Sequence, residues 1–327
     1  MKVVITGGGG FLGFRLARAL LARGQLTAPD GRAGEISKLV LLDAAFAPQL
    51  PADPRLEAIV GDVSDAATVA RVVTADTGSL FHLAAVVSGA AEADFDLGMR
   101  VNFEGTRLLL ERLRGCARPP RVVFTSSVAA FGGELPALLD DSTIANPQTS
   151  YGTQKVIGEY LISDYSRKGF IDGRSLRLPT IVVRPGKPNA AASSFASGII
   201  REPLNGVVCN CPVAPETGVF LLSPKRVIEA FLHAHELPAA AWGTRRVVNL
   251  PGITVSVAEM LAAMGRIAGE RVRQRVKWTP DARVRAIVRT WPVRFETPRA
   301  LALGFQHDPD IETVIRDYLA DENISVA

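Results

Sequence analysis

The sequence predicts an α/β protein built on a doubly wound parallel sheet, with a smaller C-terminal α/β lobe. Three observations carry this. Strand-like and helix-like segments alternate over roughly the first 180 residues. A glycine cluster, residues 7–13, stands directly between the first strand and the first helix. The chain has 327 residues, above the size at which one core stops growing, so two lobes are expected.

Residues 2–6, KVVIT, are a short run rich in β-branched residues, the pattern of a buried strand. Leu16, Ala19, Leu20 and Arg23 then recur at helical spacing, and Gly24 ends the helix. Gln25 to Glu35 is polar, contains Gly and Pro, and exceeds the usual connection, so an inserted surface loop is expected. Lys38–Asp43 reads as a second strand ending in an acid. Further strands are expected at 56–60, 80–84, 121–125 and 175–183. Helices are expected at 65–73, opened by Ser64 or Asp65, and at 98–113 and 150–168. Regularity falls away after Arg184-Pro185-Gly186, through residue 220. A helix returns at 224–235, a strand at 246–250, an amphipathic helix at 256–268, an edge strand at 271–278 and a closing helix at 311–319.

Composition narrows the class. With 47% hydrophobic and 21% charged residues the chain is neither disordered nor collagen-like. No stretch approaches the ~20 apolar residues of a membrane span. The N-terminus lacks a signal-peptide layout, and three cysteines make no disulfide scaffold. A cytoplasmic protein is expected, with neither membrane nor nucleic acid as partner. Net charge is +4, but residues 266–299 hold ten Lys/Arg against three Asp/Glu. That segment reads as a solvated Arg-rich face, with Trp278 and Trp291 packing beside it. Cys209 and Cys211 have no further cysteines to complete a zinc set, and His233 and His235 point apart on a helix, so no metal site is expected. His82 reads as a satisfied core histidine.

The glycine cluster has a chemical meaning in this context. Gly7 permits a tight turn, Gly10 lets backbone approach a pyrophosphate, and Gly13 lets helix and strand pack closely. The helix N-terminus then faces the anion. Asp43, at the end of the second strand, would accept hydrogen bonds from adenosine ribose hydroxyls and repel a 2′-phosphate. The following Ala44-Ala45-Phe46 offer no arginine, so NAD is preferred to NADP. The expected division is a Rossmann-type NAD-binding domain over 1–183, rejoined at about 221–250, with 184–220 and 251–327 forming a substrate lobe. Tyr151 and Lys155 lie four apart and share a helix face. A tyrosine with its ordinary pKa near ~10 is a poor base at neutral pH. A neighbouring ammonium and a cationic nicotinamide favour the phenolate, which can take a hydroxyl proton as hydride leaves the same carbon.

The TGxxGxxG spacing of Thr6-Gly7-Gly8-Gly9-Gly10-Phe11-Leu12-Gly13 resembles the extended short-chain dehydrogenase/reductase family. So do Gly61-Asp62-Val63, His82-Leu83-Ala84-Ala85, Val101-Asn102-Phe103-Glu104-Gly105-Thr106, Tyr151-Gly152-Thr153-Gln154-Lys155 and the Thr297–Phe305 segment. The resemblance spans nearly the whole chain, and the YxxxK pair is its most specific part. It implies that Phe11 and Leu12 join Gly7, Gly10 and Gly13 at the cofactor, with Asp62 and Val63 at the adenine. Leu83, Ala84, Ala85 and Pro179 would line the cofactor, and Asn102 would sit behind the nicotinamide. Ser127 would anchor the substrate oxygen, with Ser126 as second choice. Family members dimerise through the helices carrying Asn102 and Tyr151, so a homodimer is implied.

Many family members act on nucleotide-sugars, but two departures point elsewhere. An Asn expected after the sixth strand is Thr180, within Arg177-Leu178-Pro179-Thr180, and no arginine precedes Leu222-Ser223-Pro224. Both phosphate contacts of a nucleotide-sugar are thereby lost. The segments Arg184 to Asn189 and Ile199 to Leu204 resemble a group within the family that oxidises the C2 hydroxyl of a small sugar acid. Such a substrate needs a cation and several polar partners, for which Ser88, Thr180, Arg184, Lys187, Asn189 and Arg201 are candidates beside Ser127. Two alternatives remain at this point: an NAD-dependent nucleotide-sugar epimerase, which releases no net NADH, and an NAD-sensing binding protein without turnover.

Overall fold

The computed structural model describes residues 1–46, 50–186 and 193–326. Among these, the strands are β1 (Lys2–Thr6), β2 (Gln25–Thr27), β3 (Ala33–Glu35), β4 (Lys38–Asp43), β5 (Leu56–Val60), β6 (Thr77–His82) and β7 (Arg121–Ser127). They continue with β8 (Asp172–Leu178), β9 (Thr180–Ile181), β10 (Cys209–Cys211), β11 (Gly218–Leu222), β12 (Val247–Asn249), β13 (Ile253–Ser256) and β14 (Val276–Trp278). The main sheet has the order β12-β8-β7-β6-β1-β4-β5. β1 pairs in parallel with β4 on one side and β6 on the other, and β4–β5 and β6–β7 are parallel too. This is the Rossmann-type α/β architecture that the alternating pattern predicts. Every residue of β1 is buried, as a strand covered on both faces requires. The connection order reverses at β1, and in sheets of this kind ligands bind beyond the carboxyl ends of the strands at such a point.

The described residues divide into two compact units. The first comprises 1–130, 149–177 and 228–248, and its core includes Val4, Val40, Leu80, Val122, Phe124 and Ile162. The second comprises 131–148, 178–227 and 249–326, with a separate core around Ile199, Leu221, Met260 and Ile315. Residues 131–148 thus cluster with the second unit although they lie inside the span expected for the first. A capping box between Ser256 and Glu259 opens the helix Val257–Ala268.

Several elements differ from expectation for local reasons. Gln25–Glu35 is an antiparallel hairpin, β2–β3. Thr27 anchors it, donating from N and Oγ1 to Glu236 at 3.1 and 2.6 Å. The fourth strand of the alternation is β6 and ends at His82, because Leu83 and Ala84 turn against Gly7. The 98–113 segment contains a π-helical stretch, Met99–Glu104, before the helix Gly105–Leu113. Pro179 splits the strand expected at 175–183, and β9 joins β11 in a different sheet. Residues 271–278 are a short helix, Glu270–Arg273, followed by β14. The irregular stretch before residue 220 contains the helix Ser194–Leu204, which Pro203 and small residues disguise. Trp291 packs against the second core, whereas Trp278 is 47% exposed.

Candidate active site

The site is built where β1, β4, β6 and β7 end. After β1, Gly7 adopts φ +74°, and its N–H donates to Leu42 O at 2.8 Å. A Cβ on Gly7 would lie 2.7 Å from Ala84 N, and one on Gly13 would lie 2.1 Å from Gly7 O. The loop therefore folds this tightly only with glycine at both places. The helix Phe11–Arg23 that follows has no capping side chain at Gly10 and no acid in its first turn. Phe11 and Leu12 are half-buried in that turn, whose leading N–H groups lack partners within the helix. This is the donor set a pyrophosphate requires, so the residues present fit a dinucleotide.

Asp43 closes β4 and accepts a hydrogen bond from Gly9 N at 2.9 Å. It ties the glycine loop to the strand as well as ending the strand in a carboxylate. Asp62 is exposed and accepts from Ser64 N and Oγ at 2.8 and 2.7 Å. Val63 is buried, and a Cβ on Gly105 would meet its Cγ1 at 2.9 Å. Leu83 donates its N–H to Thr6 O at 3.0 Å, and Ala84 and Ala85 continue the half-buried segment beyond β6.

Asn102, in the π-helical stretch, clamps the next turn. Its Oδ1 accepts from Val86 N at 2.8 Å, and its Nδ2 donates to Val86 O at 3.0 Å and Gln154 Oε1 at 2.7 Å. Ser88 opens the helix Ser88–Ala93, and Glu92 on that helix accepts from Ser150 N at 2.9 Å. The Ser88 segment is thus fastened at both ends near Tyr151. The Glu92 contact had no signal in the sequence.

His82 is a core residue. Thr106 Oγ1 donates to Asn102 O at 2.6 Å, so it accepts from His82 Nε2 at 2.9 Å, and His82 Nδ1 accepts from Thr6 Oγ1 at 2.6 Å. Burial, and secondarily the Lys155 charge, push its pKa down to about 3, which keeps the ring neutral.

The helix Ser150–Arg167 opens with Thr149 capping Gly152 N at 3.1 Å, which fixes Tyr151 in its first turn. Lys155 lies one turn on and is 3% exposed. Its Nζ stands 4.9 Å from the Phe124 ring centre and 5.5 Å from that of Tyr151. Burial pulls its pKa down to about 7, against the pull of Glu159 in the other direction. The two candidate serines have different surroundings. Ser126 donates to Glu159 Oε1 at 2.5 Å and is buried. Ser127 is half-buried, and its Oγ accepts from Ala129 N at 3.1 Å, an arrangement that leaves its proton to donate.

In the second unit, Thr180 is half-buried in β9, immediately after Pro179. Arg184 is half-buried and donates its N–H to Ser197 Oγ at 3.0 Å. Arg201 is 6% exposed and gives its guanidinium to Arg184 O at 2.7 Å and Glu202 at 2.6 Å. It braces this unit's own chain. Lys187 and Asn189 lie outside the described residues. Among the described residues no cluster of His, Cys, Asp and Glu could hold a metal, and the three cysteines are free. Among the described residues no helix is long and apolar enough to cross a membrane.

A glycine loop between β1 and a helix, an acid ending β4 and a Tyr-Lys pair on one helix are the arrangement expected of an NAD-dependent oxidoreductase. Residues 3–242 match the NAD dependent epimerase/dehydratase family, and the chain belongs to that family. It is 58% identical over 325 residues to a D-erythronate dehydrogenase of Cupriavidus necator, covering 99% of this chain and 100% of that one. A D-erythronate dehydrogenase of Haemophilus influenzae is 44% identical over 319 residues, covering 98% and 99%. A crystal structure described as the nucleoside-diphosphate-sugar epimerase of Agrobacterium tumefaciens superposes with a TM-score of 0.93 at 39% identity, covering 100% of this chain and 96% of that one.

Proposed function

We propose that this protein oxidises the C2 hydroxyl of D-erythronate to the 2-oxo acid, with NAD as hydride acceptor. The 58% identity to a D-erythronate dehydrogenase over the whole length carries the choice of substrate. The chemistry is supported by the first unit's own residues. NAD, when bound, supplies the acceptor for the hydride leaving C2. Gly7, Gly10, Phe11, Leu12 and Gly13 would hold its pyrophosphate, Asp43 its adenosine ribose, Asp62 and Val63 the adenine. Leu83, Ala84 and Ala85 would line it, with Asn102 fixing the segment behind the nicotinamide.

Tyr151 takes the proton from the C2 hydroxyl. Lys155, beside its ring, stabilises the phenolate. Ser127 donates to the substrate oxygen, while Ser126 is engaged by Glu159. Ser88, Thr180 and Arg184 remain candidates for the carboxylate and hydroxyls, together with Lys187 and Asn189. We also infer a homodimer through the helices that carry Asn102 and Tyr151. Tyr160 on the second helix is 71% exposed and Phe95, ahead of Asn102, is 59% exposed. The free thiols fit the reducing cytoplasm.

A second reading, nucleotide-sugar epimerisation, is favoured by the Agrobacterium structure. The two separate cleanly. Purified protein is given NAD with both erythronate and threonate epimers, and with UDP- and dTDP-sugars. Steady NADH formation from D-erythronate supports the proposal. No NADH from any acid, with an epimerised nucleotide-sugar among the products, overturns it in favour of the second reading.

A further inference from the structure

Below the Tyr-Lys pair, on the same helix, lies a charge that the mechanism so far leaves unused. Glu159 is one turn beyond Lys155 and 3% exposed. Its Oε1 accepts from Ser126 Oγ at 2.5 Å and Arg177 Nε at 2.8 Å, and its Oε2 accepts from Arg177 Nη2 at 2.7 Å. Three donors from β7 and β8 thus fix the carboxylate in place. Lys155 is equally buried, yet among the described residues no carboxylate comes within ion-pair distance of its Nζ. Arg177 occupies Glu159, so the lysine keeps its orientation toward Tyr151 and Phe124 and receives only the field of the carboxylate.

We propose that Glu159, held by Arg177 and Ser126, is a positioning residue that keeps Lys155 in its ammonium form beside Tyr151. The proposal deepens the function above and rests on it for the roles of Tyr151 and Lys155. The groups facing Lys155 are few. Tyr151 and Glu159 come from its own helix. β6 contributes His82, which is neutral; β7 contributes the uncharged Phe124 and Ser126; β8 contributes Arg177 behind Glu159. Glu159 is thus the buried anion of this set. Without it, burial alone acts on the ammonium and drives the proton off. The Tyr-Lys pair then shares its remaining proton in the wrong way, as neutral tyrosine and neutral lysine.

The test is the titration of Lys155 in the cofactor-free protein, read from its side-chain ¹³C resonance and assigned with Lys155→Met. In Glu159→Gln the midpoint is expected to fall by about one pH unit or more, a tenfold change in the ammonium-to-amine ratio. Glu159→Asp, which keeps the charge, is expected to recover most of that shift. With D-erythronate, kcat of Glu159→Gln is expected to fall ~10-fold, with KM within about twofold. A merely structural role would lower Tm and leave the midpoint unmoved. If Glu159→Gln does not fold because Arg177 is left buried and unpaired, the double variant Glu159→Gln/Arg177→Met reads the same shift, reduced by loss of the opposing charge. An unmoved midpoint in the folded variant overturns the proposal. Because the midpoint needs no substrate, a wild-type protein inert toward D-erythronate would count against the function alone.

Discussion

Tyr151 and Lys155 share one helix face, and their coupling sets the expected pH behaviour. Burial holds the Lys155 pKa at about 7, so the pair gives up a proton near neutrality. The active form has lost the Tyr151 proton and keeps that of Lys155, so kcat/KM is expected to rise with pH as the pair gives up its first proton and to fall where Lys155 gives up the second. Tyr151→Phe removes the proton acceptor and should cost ~10²–10⁴-fold in kcat, while NAD binding, measured by calorimetry, persists. Gly13→Ala places a Cβ 2.1 Å from Gly7 O. NAD affinity is expected to drop at least ~10-fold and Tm to fall by several degrees, since overpacking costs about 1–3 kcal/mol. Unchanged affinity would mean that the loop does not hold the cofactor. Sequence spacing alone put Tyr151 and Lys155 on one helix and the glycines in a tight turn after β1, as the structure has them. It ranked Ser127 over Ser126 by resemblance, yet strand alternation carries the same information. Phe124 and Ser126 lie two apart and both meet the helix Ser150–Arg167, which turns Ser127 to the other face.

At the scale of elements, the β2–β3 hairpin shows what local sequence conceals. Its strands are three residues each, too short for a periodic signal, and its anchor Glu236 lies some two hundred residues away in the chain. The π-helical stretch at Met99–Glu104 is equally silent, because it changes hydrogen bonding without changing residue type. The strand expected over 175–183 ran through Pro179, a breaker whose effect was passed over, and Pro179 marks where β8 gives way to β9. The anchor also bears on stability. His235 is buried against Ser79, and burial pushes its pKa down to about 4, although the Glu236 hydrogen bond opposes the shift. His82 behaves alike, at about 3. A histidine with a lowered folded pKa leaves the unfolded chain binding more protons at mildly acid pH. Its stabilisation is complete above the unfolded value near 6.5 and is lost as pH falls toward the folded values. Tm is therefore expected to decline from about pH 6.5 downward, with a shallower slope in His235→Gln, by thermal unfolding across pH. A slope unchanged by His235→Gln would contradict the assignment.

For the whole molecule, the alternating strand and helix pattern was enough to give the doubly wound sheet, while its switch point at β1 is visible only in the strand order. The second unit was less legible. Its helix Ser194–Leu204 carries small residues at 194 and 196–198 and contains Pro203, and its strands are contributed by distant segments. The inferred homodimer belongs to this scale. Tyr160→Glu should convert the dimer to monomer in light scattering, and a wild-type monomer would contradict the inference outright. The central claim is that hydride leaves C2 of a sugar acid for NAD and does not return. The most direct measurement supplies D-erythronate carrying deuterium at C2 and follows the label by NMR. One deuterium is expected in the reduced nicotinamide for each 2-oxo acid formed, with turnover slowed by the heavier isotope where hydride transfer is rate-limiting. Reduced nicotinamide without deuterium, or no reduced nicotinamide at all, would contradict it.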